Sequence, residues 1–356
     1  MSQRVNARLL ILNNLPAFYR TGPFNSLVDA WRDRTGGEAM VAYQARRDPF
    51  RRQEWFYSAD AEIPYRHVFI SNRTVRVRGR VTYSPRFGAS ILTRFRPTHM
   101  LVAGWDTPMS LAAATYRRAS ATTLSLWVES NSSTTRRTGA LSVAYRRSVL
   151  RSADCVLVPT RASSEYVNST SQRNMSILEL PNPVMLDRLG ETRSGDDKRL
   201  IFLGDFSRRK GFDVFAEAVR LGQSAGWRGH AWGTDTEGLA SVVPPNCKVT
   251  TGLPLSEIIP MLSSRDVWLI PSRVDPAPLT FSEAMALGLR VVVSDAVAYA
   301  ATIEGDGVGA SRDEDSQNLL DVAARLYRSR RPDEAASRRF TADYWGTAVA
   351  DFLLRR

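Results

Sequence analysis

Short apolar runs of strand length alternate along the chain with stretches whose apolar residues recur at helical spacing. Runs at 7–13, 39–43, 67–71, 100–103, 123–128 and 153–159 predict strands in the first half, and runs at 200–203, 229–232, 247–250, 266–270 and 290–294 predict strands in the second. Several are apolar almost throughout, as in Leu9-Leu10-Ile11-Leu12 and Val291-Val292-Val293. That is the pattern of strands covered on both faces of a parallel sheet. Between them, Phe24, Leu27, Val28 and Trp31 keep one helical face, and Phe212, Phe215, Ala216 and Val219 keep another. Pro23 suits a first helical position, which starts that helix at about Phe24 and leaves Gly22 in the loop before it. Further helices are predicted over 83–95, 109–120, 139–151, 160–168, 257–263 with Ser256 as N-cap, 279–287 stopped by Gly288, 297–303, 314–328, 332–340 and 344–354. Strands and helices alternating in this way predict an α/β protein built on parallel sheets.

The most informative stretch is 271–295, PSRVDPAPLTFSEAMALGLRVVVSD. It reads as a loop and helix between two parallel strands. Ligands of such sheets lie beyond the carboxyl ends of the strands, where this loop must stand. The free N–H groups and positive dipole end of a helix starting at Leu279 suit a phosphate. Asp275 and Glu283 would be two acids beside that anion. Carboxylates repel phosphate and accept bonds from hydroxyls. An anion together with hydroxyls describes a nucleotide sugar.

These residues resemble the signature of retaining family-4 glycosyltransferases, which have the GT-B fold. The matching positions are Pro271-Ser272, Asp275, Glu283, Ala284-Met285-Ala286 and Gly288. A second block, Leu200-Ile201-Phe202-Leu203-Gly204, then Lys210-Gly211 and a helix from Phe212, is similar to the family's strand, phosphate loop and helix. The resemblance is detailed over 200–295 and looser elsewhere. It implies two Rossmann-like domains with parallel sheets facing across a cleft. The acceptor-side domain would be 1–181, the nucleotide-sugar domain 182–340, and a terminal helix at 341–356 would cross back to the first domain. The implied reaction moves a sugar from a nucleotide-sugar donor to a hydroxyl of a saccharide, lipid-linked or small-molecule acceptor, with retention.

The same resemblance implies residue roles. Lys210, with Arg208 or Arg209, would hold the diphosphate beside Gly204. The amides of Leu279 and Thr280 would support the diphosphate or the sugar. Glu283 would take the ribose hydroxyls and Asp275 those of the sugar, while Gly233 and Leu253 would flank the base and Gly22 would approach the donor phosphates. Glu129 stands where family members often have a histidine, as an acceptor-side base or a sugar contact. The absent histidine and two further departures favour a second reading, a GT-B binding or structural protein without catalysis. Asp205 replaces the arginine usual after the glycine, and Pro278, which has no N–H, replaces the usual loop glycine.

Composition narrows the alternatives. The 356 residues suffice for two ordinary domains. Among 48 basic residues only Lys198, Lys210 and Lys248 are lysine, which makes a lysine just before Gly211 informative. The net charge of +12 invites an anionic partner. The arginines are dispersed, with no zinc finger or long basic helix, so no nucleic acid is expected. His67, His99 and His230 lack metal-ligand spacing, and Asp313-Glu314-Asp315 reads as a solvated acid cluster. No metal or other cofactor is expected, the nucleotide sugar being substrate. Cys155 and Cys247 read as buried free thiols. No run approaches the roughly 20 apolar residues that cross a bilayer. A cytoplasmic protein is expected, and a peripheral contact of Trp345 and Phe352 with an anionic membrane is the alternative use of the terminal helix. The aromatic loop around Phe50, Trp55, Phe56 and Tyr57, and the pair Arg136-Arg137, are candidates for the acceptor side.

Overall fold

The structure, a computed structural model, describes residues 7–46, 63–70, 72–77, 80–85, 89–105, 107–133, 139–190, 198–299, 307–311 and 314–355. The aromatic loop 50–57, Arg136, Arg137, Asp313 and most of the helix expected at 297–303 lie outside them. The chain divides into two compact units, 1–180 with 342–356, and 181–341.

In the first unit the elements run β1 Arg8–Asn13, α1 Phe18–Thr35, β2 Glu38–Tyr43, β3 His67–Phe69, β4 Asn72–Val77, β5 Arg80–Pro85, α2 Ala89–Phe95, β6 His99–Ala103, α3 Pro108–Arg118, β7 Thr123–Trp127, α4 Ala140–Ser152, β8 Cys155–Val158, α5 Arg161–Ser171 and β9 Ser176–Glu179. One sheet has the order β3-β2-β1-β6-β7-β8-β9, parallel throughout. Alternate residues of β1 feed two cores: Leu10 and Leu12 join one face, Leu9 and Ile11 the other. This is why the strand reads as continuously apolar. Of the helix expected over 83–95, residues 83–85 instead end β5, which pairs with β4 in an antiparallel hairpin, and α2 alone is helical. The alternation of Arg with Val and Tyr there is a two-residue period, and it prevailed over the helical reading.

The second unit runs β10 Lys198–Phe206, α6 Phe212–Gly222, β11 Trp227–Asp235, β12 Cys247–Thr251, α7 Leu255–Ile258, β13 Val267–Ile270, α8 Leu279–Ala286, β14 Arg290–Ser294, β15 Val308–Ser311, α9 Ser316–Arg328 and α10 Glu334–Arg338. Its sheet has the order β12-β11-β10-β13-β14-β15, again parallel. Helix α7 is capped by Pro254 rather than by Ser256. Cys247 is half-buried rather than buried, with burial pushing its thiol up to about 12.

The last helix, α11 Ala342–Leu354, belongs to the first unit. Trp345 is 1% exposed and lies over Trp127 with ring centroids 4.7 Å apart. Val349 and Leu353 join the same core, and Phe352 packs against it. The aromatic face offered to a membrane in the sequence reading is therefore spent inside the protein. Among the described residues no helix is long and apolar enough to cross a membrane. Gly346 makes the docking of α11 on α1 possible: an added Cβ would stand 2.5 Å from the backbone carbon of Ser26. Gly346→Val should lower stability by about 2–3 kcal/mol, read as a fall in the thermal midpoint.

Candidate functional site

In the second unit the strand order reverses between β10 and β13. Two connections leaving the sheet in opposite directions open a crevice at the carboxyl ends of those strands. The segments that follow them, 207–211 and 271–278, meet there. Their meeting depends on Gly211. It has φ 73° and caps α6, and a Cβ added to it would lie 1.8 Å from the carbonyl oxygen of Pro271. Only glycine allows both that backbone conformation and that approach.

The approach brings three charged groups together. Lys210 Nζ bonds to Asp275 Oδ2 at 2.5 Å, and Asp275 is almost fully buried. Glu283, in α8, keeps part of its surface open, yet burial of its carboxyl pushes the pKa up to about 7, with the charge of Lys210 pulling the other way. Helix α8 begins at Leu279 after Pro278 with no side-chain cap. Leu279 and Thr280 therefore supply its first amides, which have no intrahelical partner.

A residue outside the signature holds the two segments together. Arg273 donates to both carboxylate oxygens of Asp213 in α6, at 2.8 and 3.0 Å, and to Glu314 at 2.7 Å. It also reaches the carbonyl of Arg208, and its own backbone N–H reaches the carbonyl of Arg209. Burial pushes the Asp213 carboxyl up, but the bonds from Arg273 outweigh it and hold it below its ordinary value. Sequence reasoning missed Arg273, since one arginine among so many carries no pattern. Arg273→Ala should weaken binding at the crevice about tenfold, measured by titration calorimetry, because the two segments lose their shared clamp.

The remaining sequence candidates fall into place individually. Arg209 extends over the 271–278 segment, with Nη1 3.5 Å from the carbonyl of Val274. Arg208 is exposed and gives its backbone N–H to Glu237. Gly204 is not in a loop: β10 continues through Asp205 to Phe206, and Gly204 pairs with Gly233 of β11. Gly233 lets these strand ends close up, since a Cβ on it would meet Gly204 O at 1.7 Å. The side chain of Leu253 packs against the second unit's core.

Gly22 departs most from expectation. It lies inside α1, which starts at Phe18 and includes Pro23 in its second turn. The loop before it is only a tight turn, closed by Asn13 Nδ2 and Ala17 N–H on the carbonyl of Leu15. Proline and glycine read as a helix boundary, but the helix runs on through Pro23, which is buried within it, at the cost of one backbone bond.

The first unit has its own crevice, where its strand order reverses between β1 and β6. A cavity of about 280 Å³ lies there, lined among others by Asn14, Tyr19, Arg20, Thr107, Trp127 and Glu129. Arg20 Nη2 bonds to Glu129 Oε1 at 2.8 Å, and its guanidinium lies 3.9 Å from the centroid of Trp127. Gln44 links Asn14 and Thr107 across the turn, at 2.6 and 3.3 Å. Glu129 thus stands in a polar pocket, as a carboxylate with one oxygen already engaged. Arg20 was missed because its residue was read as loop.

Residues 197–329 match the model of the family described as "Glycosyl transferases group 1", the family expected from the sequence. The whole chain has the GT-B fold. The lipopolysaccharide outer core galactosyltransferase WaaB in its apo form is similar over 97% of this chain and 99% of its own, with 13% identity and a TM-score of 0.69. Anabaena Alr3699/HepE in complex with UDP is similar over 98% of this chain and 100% of its own, with 13% identity and a TM-score of 0.69. Sucrose-phosphate synthase (tll1590) from Thermosynechococcus elongatus is similar over 98% of this chain and 94% of its own, with 15% identity and a TM-score of 0.64. No curated protein matches the chain in sequence.

Proposed function

We propose that the protein is a glycosyltransferase that moves a sugar from a nucleotide-sugar donor to an acceptor hydroxyl with retention of configuration. The observation that carries this reading is the convergence of Lys210, Asp275 and Glu283 at the switch point of the second unit, beside the open amino end of α8. A diphosphate placed there meets the Lys210 ammonium, the Arg209 guanidinium and the amides of Leu279 and Thr280. The acids take the hydroxyls: Asp275 those of the sugar, Glu283 those of the ribose. Gly233 and Leu253 border the base through their backbone. One solved neighbour, Anabaena Alr3699/HepE, is described in complex with UDP and with UDP-glucose, which makes UDP-sugars the first donors to test.

In the reaction the acceptor oxygen bonds to the anomeric carbon as the bond from that carbon to the β-phosphate oxygen breaks. The electron pair leaves with the nucleoside diphosphate, and the acceptor's hydroxyl proton passes to it. Charge therefore accumulates on the diphosphate in the transition state, where a fixed ammonium and fixed amides act most strongly. These groups serve in place of a metal ion, so turnover should survive a chelator. In the first unit Glu129, held by Arg20, accepts a bond from the acceptor hydroxyl.

Thermal-shift screening with UDP-, GDP- and dTDP-sugars tests the reading. One base series should raise the midpoint and should then release free nucleotide on turnover. Stabilisation without release would instead assign a binding protein on this fold, and no stabilisation at all would reject the site.

Glu283 adds a pH dependence. Its raised pKa means that the folded protein keeps a proton which the unfolded chain has lost between about pH 4.5 and 7. Stability attributable to this group is intact below that window and falls across it, by up to about 3 kcal/mol. Glu283→Gln should remove the slope, matching the wild type near pH 4.5 and exceeding it at pH 8. Ribose hydroxyls favour the ionised carboxylate, so nucleotide affinity should rise about tenfold from pH 6 to pH 8 in the wild type and stay level in the variant.

A further inference from the structure

The carboxylate in the first unit's cavity is held by a chain of contacts that leads into the terminal helix. Among the described residues the Glu129 carboxylate has one partner, Arg20 Nη2 at 2.8 Å. The Arg20 side chain is only 14% exposed, yet its guanidinium makes no other hydrogen bond among the described residues. Its remaining contacts are aromatic. It lies 3.9 Å from the centroid of Trp127 and 5.6 Å from that of Tyr19. A guanidinium with one bond takes its direction from the ring it covers, and indole offers the strongest face.

The indole of Trp127 is itself placed by packing. Trp127 is buried at the end of β7. The sheet fixes its backbone, since the ladder continues through the Val128 N–H to the Leu157 carbonyl. The plane of the ring is set by its neighbours: Phe24 meets it edge-on at 6.3 Å, and Trp345 lies closer, at 4.7 Å and tilted by 36°. Trp345 has little freedom of its own. It is fully buried, and its helix is tied to α1 at two points. Ser26 Oγ donates to Asp343 at 2.7 Å, and Arg34 Nη2 donates to Asp351 at 3.2 Å, the same number of residues further along each helix. Arg20 and Trp345 therefore stand on two helices locked in register, and Trp127 touches both.

We propose, resting on the transferase reading, that Trp345 is a positioning residue for the acceptor step. It fixes the plane of Trp127, Trp127 fixes the guanidinium of Arg20, and Arg20 aims the free oxygen of Glu129 at the acceptor hydroxyl. A side chain three contacts from the reacting atoms acts through orientation alone, and small misplacements of a reacting group are costly. A tryptophan that only filled the core would lower stability when replaced and leave the acceptor's share of the kinetics alone.

The test compares Trp345→Leu with Leu353→Ala, a change in the same helix and the same core. Both should lower the thermal midpoint. Transfer is followed from the sugar nucleotide that stabilises the protein to methyl glucoside, galactoside and mannoside, or to water where no glycoside is used. Trp345→Leu should lower the acceptor kcat/KM, or the rate of hydrolysis, about tenfold further than Leu353→Ala does. Affinity for the nucleoside diphosphate should be unchanged in both. A second readout needs no substrate. The guanidinium N–H signals of Arg20, assigned by their loss in Arg20→Lys, should lie upfield in the NMR spectrum through the ring current of Trp127. They should stay there in Leu353→Ala and return toward the other arginines in Trp345→Leu. Trp345→Phe, a milder change that keeps a ring, should fall between wild type and Trp345→Leu in both readouts. Arg20 signals unmoved by Trp345→Leu and Trp345→Phe, or acceptor rates that fall no further than in Leu353→Ala, overturn the inference. Absence of nucleotide release from every sugar nucleotide rejects the transferase reading and this inference with it, whereas turnover indifferent to Trp345 rejects this inference alone.

Discussion

Replacing Lys210 with methionine is expected to lower turnover about 10²–10³-fold, the loss typical of removing one group that stabilises developing charge. Methionine keeps an unbranched chain of similar length and removes the ammonium. Two effects separate in such a variant. The leaving diphosphate loses its nearest cation, which lowers kcat. Asp275, almost fully buried and bonded to Lys210 at 2.5 Å, also loses its partner. A buried carboxylate left alone is costly, so the variant should also be less stable at neutral pH. Lys210→Arg restores charge but not compactness, and a planar fork does not reproduce the point charge bonded to Asp275. Partial recovery of stability with little recovery of kcat is expected. Rates of nucleotide release at saturating donor, with thermal midpoints beside them, check both parts.

The second large effect comes from a residue without a side chain. Gly211→Ala should cost about 3 kcal/mol or more and lower the midpoint of unfolding by roughly 10 °C. Its φ of 73° alone disfavours any Cβ by about 1–2 kcal/mol. The larger part is contact, since the added carbon would be 1.8 Å from Pro271 O. Gly238 isolates the two contributions. It has φ 74° and open space around the position of a Cβ, so Gly238→Ala should lose only the conformational share. The difference between the two variants measures the close approach of α6 to the 271–278 segment. Since that approach joins Lys210 to Asp275, Gly211→Ala should lose donor affinity as well, whereas Gly238→Ala should not.

These residues also show what was legible in the sequence. The second crevice could be read because its parts are contiguous: a strand, a short segment and a helix carry Asp275, the first amides of α8 and Glu283 within a dozen residues. Lys210 stood out because lysine is rare in this chain. The clamp by Arg273 could not be read, because it depends on Asp213 and Glu314, separated from it by 60 and 41 positions. The first unit was harder for a different reason. Gly22 and Pro23 carry a strong local boundary signal, yet α1 runs through both, with the proline buried. The helix therefore begins six residues early and carries Tyr19 and Arg20 into the cavity wall. The fate of Trp345 was decided by Trp127, more than 200 positions away, and no local pattern announces such a stack.

The most direct test of the central claim, that Lys210, Asp275 and Glu283 form one site for a sugar diphosphate, is titration calorimetry of UDP and uridine into the wild type and into Lys210→Met. The account predicts that the wild type binds UDP at least tenfold more tightly than uridine and that the variant loses most of that difference. UDP and uridine binding alike, or a preference for UDP that persists without the lysine, would contradict it.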